Sequence, residues 1–143
     1  MQIHVSSRVA VDSLIASLEG NIATIAVTDP NSPLTCIGQP YRILRLQFHD
    51  LDCIWPQLNE VVYFDTGMAR EVVQFVKEHI DTVDHLVIHC EAGISRSTAI
   101  AAAISEHIGK HHSYFSLYPC MNTMVFSILR VAFGFGSEPL TNL

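Results

Sequence analysis

Short apolar runs rich in β-branched residues alternate along this chain with longer stretches in which apolar positions recur every three or four residues. That alternation predicts an α/β layered architecture, a central and mostly parallel sheet of about four to five strands flanked by helices. The strand candidates are residues 3–5, 22–27, 42–48 and 85–89. Helical spacing runs through Val11, Leu14, Ile15 and Leu18, and again through Ala69, Val72, Val73, Val76 and Ile80, with Asp65 as a candidate N-cap. Residues 97–108, small and apolar, predict a helix buried against the sheet. A last helix over 121–133 is bracketed by Pro119 before it and by Gly134 and Gly136 after it.

Two stretches break the periodicity. Residues 29–33 (Asp-Pro-Asn-Ser-Pro) are turn chemistry directly after the second strand. Residues 49–59, with Asp50, Asp52, Trp55 and Pro56, form a loop long enough in so small a chain to suggest a functional role. At 143 residues the whole chain, 1–143, is expected to be one domain.

Composition narrows the function classes. The formal net charge of −6 argues against a nucleic-acid or anionic-membrane partner. No apolar run reaches the roughly 18 residues a bilayer requires, and the first residues lack a signal-peptide pattern, so a cytoplasmic protein is expected. Cys36, Cys53, Cys90 and Cys120 are widely spaced and lack a Cys-x-x-Cys pair, so reduced thiols are expected rather than a metal knuckle or a disulfide framework. His107, His111 and His112 lack an acidic partner at metal-site spacing and read as a solvated helix end, so no metal and no cofactor is implied. Cys53 and Cys120 read as ordinary semi-buried thiols, with a resolving role toward oxidised Cys90 as the alternative. Trp55 is either a substrate-stacking ring or a loop anchor.

The chemistry concentrates in Leu86-Val87-Ile88-His89-Cys90-Glu91-Ala92-Gly93-Ile94-Ser95-Arg96-Ser97, an apolar strand running into Cys-x5-Arg and then into a helix. Five residues between Cys90 and Arg96 suffice to wrap backbone N–H groups around one tetrahedral oxyanion, with the helix N-terminus adding its positive end. Gly93 supplies the backbone freedom for that wrap. Arg96 is placed to close it with a bidentate fork, which a lysine cannot make. Dipoles and a guanidinium around the Cys90 sulfur favour the nucleophilic thiolate.

His89-Cys90-x5-Arg96-Ser97, with Gly93 at the third position after the cysteine, resembles the signature of the cysteine-dependent protein tyrosine phosphatases. The size of the chain is similar to the compact dual-specificity-like subgroup, especially its small bacterial members. Asp29-Pro30, Phe48-His49-Asp50 and Pro119-x-x-Asn122 resemble that subgroup too. The resemblance implies a phosphatase that hydrolyses phosphotyrosine, and in some members phosphoserine and phosphothreonine, with a phosphorylated protein as substrate. It implies Cys90 as nucleophile and Arg96 with the N–H groups of Glu91, Ala92, Gly93, Ile94 and Ser95 as the phosphate cradle. Ser97 is implied to assist departure of the sulfur, and His89 to tune the loop from the strand side. The implied general acid is an aspartate after the preceding strand: Asp50 first, Asp52 second, with Asp65 weaker because it reads as a helix cap. An insertion around residues 53–64 would line the cleft. Alternatives are a phosphate-binding pseudophosphatase and phosphatases of lipid or RNA 5′-phosphate substrates. The lack of a lysine in the loop and the acidic charge balance disfavour the latter two.

Overall fold

The computed structural model describes residues 1–34, 42–109 and 119–136. Along them follow β1 (Gln2–Ser7), α1 (Val11–Ser17), β2 (Ile22–Thr28), β3 (Ile43–Gln47), α2 (Thr66–His79), β4 (His85–Cys90), α3 (Arg96–His107) and α4 (Thr123–Ala132). The strands form one sheet in the order β1-β4-β2-β3, with every pairing parallel. The expected elements are present with ends shifted by one or two residues, and two of the shifts matter. Cys90 is the last residue of β4 and Arg96 the first of α3, so the linking loop is residues 91–95.

Side chains alternate across the sheet, as they must in an extended strand. Ala23, Ile25 and Val27 of β2 and Leu86, Ile88 and Cys90 of β4 join one large core with Val72, Phe75, Ala99, Ile100, Val125 and Phe126 of α2, α3 and α4. The intervening residues Ala26 and Val87 face the other way, onto Val11, Leu14, Ile15 and Leu18 of α1. Each fully buried Ile or Leu in these clusters contributes about 1.5–3 kcal/mol of transfer free energy. By this alternation His89, buried next to Cys90, belongs to the α1 face.

α3 is buried on every side from Arg96 through Glu106. Its alanines at 99, 101, 102 and 103 favour the helix and let it approach β1, β4 and α4 closely. α3 and α4 are joined by an ion pair inside the protein: Arg130 Nε and Nη2 donate to the two carboxylate oxygens of Glu106 at 2.8 and 2.7 Å. α2 starts where Asp65 accepts from the Met68 N–H at 2.8 Å, so Asp65 is the cap its position predicts. Among the described residues no helix is long and apolar enough to cross a membrane.

The topology selects one place for a ligand. β1 and β2 are consecutive in sequence, yet β4 lies between them, so strand order reverses at the carboxyl ends of β4 and β2. Open parallel sheets bind ligands at that crevice.

Candidate active site

Residues 91–95 leave the carboxyl end of β4 and lie against the end of β1. Gly93 has φ +75°, and a Cβ there would stand 2.7 Å from the Ser7 nitrogen and 2.8 Å from the Ser6 carbonyl carbon. Only glycine combines that left-handed backbone with that approach. The result is inward curvature: the Gly93 N–H points to the Cys90 Sγ at 3.2 Å. From the helix side, the buried Ser97 shares a hydrogen bond of 3.0 Å with the same sulfur. Cys90 is itself 2% exposed.

The loop is held from outside by its first residue. The Glu91 carboxylate accepts from Arg8 Nη1 at 2.9 Å, and the Arg8 N–H donates to the Glu91 carbonyl at 3.1 Å. Arg8 also donates from Nη2 to the Pro33 carbonyl, so it ties the loop to the turn after β2. Ala92 and Ile94 are exposed. Ser95 is the N-cap of α3, but its hydroxyl caps nothing in the helix and donates instead to Asp50 Oδ1 at 2.8 Å. The positive end of α3 therefore opens into the loop without a side-chain cap from Ser95.

Arg96 is 4% exposed and makes contacts that the sequence does not announce. Its Nη1 donates to Asp29 Oδ1 and to the Phe48 carbonyl, both at 2.7 Å, and its carbon centre lies 5.9 Å from the Phe48 ring centroid. Its Nε is buried with no partner. Asp29, read from sequence as part of a turn and of the Asp29-Pro30 resemblance but given no role, thus lies against Arg96. The retrievable signal was an acidic residue directly after a strand.

Asp50 is brought to the loop. Its Oδ1 accepts from Ser95 Oγ and, at 2.9 Å, from Asn122 Nδ2. Asn122 is buried and N-caps α4 through Oδ1, which accepts from the Val125 N–H at 3.1 Å. It also donates from Nδ2 to the Leu51 carbonyl at 3.0 Å and from its backbone to the Ser95 carbonyl at 3.1 Å. Asn122 therefore joins α4, the loop after β3 and the loop after β4. Asp52 is exposed, and Asp65 is occupied as the α2 cap.

The long loop after β3 is closed at its base. His49 N–H donates to the Val62 carbonyl at 2.8 Å, Val62 N–H donates to His49 Nδ1 at 3.0 Å, and the buried Phe48 and Phe64 rings sit 5.0 Å apart. Trp55 anchors the loop by its backbone, its N–H donating to the Tyr63 hydroxyl at 2.9 Å, while its ring is partly exposed. His89 Nδ1 lies 3.4 Å from the Cys90 carbonyl. Burial lowers the His89 pKa from its ordinary 6.5, an effect that the hydrogen bond to that carbonyl opposes. Cys53 and Cys120 are exposed, which corrects their expected semi-buried state. His107 stacks on Phe133 with ring centroids 4.6 Å apart. His111, His112 and Cys36 lie outside the described residues.

This architecture recurs in solved structures. The chain superposes on DUSP15 with a TM-score of 0.61 at 18% identity, covering 95% of this chain and 85% of that one. It superposes on Tk-PTP in its active form with a TM-score of 0.57 at 11% identity, covering 92% of each. The chain has the protein tyrosine phosphatase fold. A third structure with this phosphatase fold is PTPMT1, solved in complex with PI(5)P, with a TM-score of 0.56 at 13% identity and coverage of 92% and 90%. No family profile and no curated protein sequence matches the chain. The phosphatase fold places Cys90, the curved loop and Arg96 at the crevice where its strand order reverses.

Proposed function

We propose that the protein is a cysteine-dependent phosphomonoesterase that hydrolyses phosphotyrosine in protein substrates. The observation that carries this reading is the surroundings of one sulfur. Cys90 Sγ lies 3.2 Å from an inward-pointing backbone N–H and 3.0 Å from Ser97 Oγ, in a loop that runs into an open helix N-terminus. Such an arrangement has no evident purpose in a buried structural thiol, and it suits a nucleophile beneath an oxyanion. A phosphate oxygen is also the acceptor that the orphaned Arg96 Nε lacks.

In the first step Cys90 Sγ attacks phosphorus in line. The S–P bond forms as the bond to the tyrosyl oxygen breaks, and Asp50 gives that oxygen its proton. The equatorial oxygens are held by Arg96 and the N–H groups of the loop, where charge is greatest in the transition state. In the second step Asp50 takes a proton from water as the water attacks phosphorus. The S–P bond then breaks, Ser97 Oγ donates to the departing sulfur, and inorganic phosphate leaves. Asp50 suits this work because Oδ1 accepts from Ser95 and Asn122, which fixes the carboxyl and leaves Oδ2 as the oxygen to carry the proton. A reducing cytoplasm keeps the sulfur available.

The test is turnover of para-nitrophenyl phosphate. Cys90→Ser should abolish it while circular dichroism and binding of inorganic phosphate persist, since serine has no adjacent base here. Activity within tenfold of the parent would remove Cys90 from the mechanism.

A further inference from the structure

All four strands are parallel, so the loops leaving their carboxyl ends share one side of the sheet with the phosphate cradle. The exposed large apolar residues gather on those loops: Val9 after β1, Leu34 after β2, Ile54, Trp55, Leu58 and Val62 after β3, and Ile94 within the cradle loop itself. Ile54 is 62% and Ile94 57% exposed, values that waste apolar surface unless something covers it. Elsewhere among the described residues, large exposed apolar side chains are confined to Val131 and Phe135 at the end of α4.

The same loops carry Asp29, Asp50, Asp52, Glu60 and Glu91. Over their described residues they hold no lysine; Arg8 is already paired with Glu91, and Arg42 directly precedes β3, at the opposite end of the parallel sheet. Arg96 is paired with Asp29. Around the cradle, then, lies an apolar rim interspersed with carboxylates, and its centre holds a buried guanidinium nitrogen without a partner.

We propose that the substrate is a phosphorylated peptide segment whose flanking residues are apolar and basic. This rests on the phosphomonoesterase reading and narrows it. Apolar flanks cover Ile54, Leu58 and Ile94, while lysine or arginine flanks meet Asp52 and Glu60, exposed rim carboxylates that take part in neither ion pair. An acidic flank meets like charge. So does an anionic lipid surface, which recruits proteins through clustered Lys and Arg that these loops lack.

The experiment compares two phosphotyrosine peptides that differ only in their flanks, one with Leu, Ile and Arg and the other with Ser and Glu. Values of kcat/KM are measured at low and high salt alongside para-nitrophenyl phosphate. The apolar-basic peptide should be favoured at least tenfold, and the ratio should narrow as salt screens the rim. The double variant Ile54→Ser/Leu58→Ser should lower that ratio. Equal rates for the two peptides, or preference for the acidic one, overturn the proposal. So does faster hydrolysis of phosphatidic acid in phosphatidylcholine vesicles than of either peptide. If para-nitrophenyl phosphate is not turned over at all, the phosphomonoesterase reading falls, and the affinities of the two peptides for the protein decide the flank preference alone. Tighter binding of the apolar-basic peptide then supports it, and equal binding ends it.

Discussion

Gly93→Ala isolates the contact that shapes the cradle. Two costs arise together, and a second glycine separates them. The backbone cost of a left-handed alanine is about 1–2 kcal/mol. The steric cost arises because the new Cβ would stand 2.7 Å from Ser7 N and 2.9 Å from the Ser6 carbonyl oxygen, against an ordinary contact of at least 3.4 Å. Those atoms are the backbone of β1, paired to β4 through Ser6↔His89 and Ser7↔Cys90, so they yield little. The loop must instead move by roughly 0.7 Å, with an overpacking cost of about 1–3 kcal/mol. A shift of that size also stretches and weakens the Gly93 N–H contact with Cys90 Sγ, now 3.2 Å. Destabilisation of about 2–5 kcal/mol and a roughly hundredfold loss of kcat/KM on para-nitrophenyl phosphate are expected. Gly109 has φ +84° with nothing within 4 Å of a built Cβ, so Gly109→Ala carries the backbone cost alone. Thermal melts and initial rates of the two variants supply the comparison. If Gly93→Ala melts with Gly109→Ala and keeps its activity within threefold, the contact with β1 does not set the loop.

Asp50→Asn should depress hydrolysis of phenyl phosphate far more than that of para-nitrophenyl phosphate, whose leaving group needs no acid, and Asp52→Asn should leave that ratio unchanged. Asn122→Ser keeps an N-cap acceptor for α4 but removes the Nδ2 donor to Asp50, so it should reproduce the leaving-group dependence; an unchanged rate ratio would dismiss Asn122 as a positioning residue. Because His89 has its pKa lowered by burial, its stabilising contribution is complete above its ordinary 6.5 and is lost as pH falls. The urea midpoint should therefore decline below about pH 6.5, and His89→Gln should flatten part of that decline, His4 supplying a slope of the same sign. Glu106→Ala removes the carboxylate that both Arg130 Nε and Nη2 grip inside the protein and should cost about 3–5 kcal/mol in urea denaturation, most of it recovered by adding Arg130→Met.

The elements were legible because each follows from a local pattern: β-branched runs for the strands, a 3.6-residue period for α2, a carboxylate cap at Asp65 and two terminal glycines after α4. The cradle was legible for the same reason, since Cys90, Gly93, Arg96 and Ser97 are neighbours in sequence. Contacts between distant residues were not legible. Arg96 meets Asp29 across 67 positions and Arg8 meets Glu91 across 83, and no periodicity reports which strand lies beside which. The order β1-β4-β2-β3 creates both pairs. Which of Asp50 and Asp52 meets Ser95 and Asn122 also lay beyond sequence, because the two belong to one loop. Cys53 and Cys120 were misplaced because local hydrophobicity does not tell a loop facing solvent from one folded inward.

The Asp29 pair gives the cradle a particular energetic character. A guanidinium buried as deeply as Arg96 needs an acceptor and a counter-charge when no phosphate is present. The Phe48 carbonyl, buried and neutral, supplies the first and fixes the side chain in place. Asp29 supplies the second, but its carboxylate is 48% exposed, so solvent screens it and the pair is worth about 1 kcal/mol or less. In the proposed reaction that weakness is useful when a phosphate arrives. Screening that limits the attraction of Asp29 for Arg96 limits in the same proportion its repulsion of a dianion, while the Phe48 carbonyl keeps the guanidinium oriented without opposing charge. Orientation and neutralisation are thus divided between residues that follow β3 and β2, and Arg96 reaches both from the start of α3. A site assembled from three strand ends in this way needs no rearrangement of Arg96 to receive its ligand, only an acceptor for the nitrogen left unpaired.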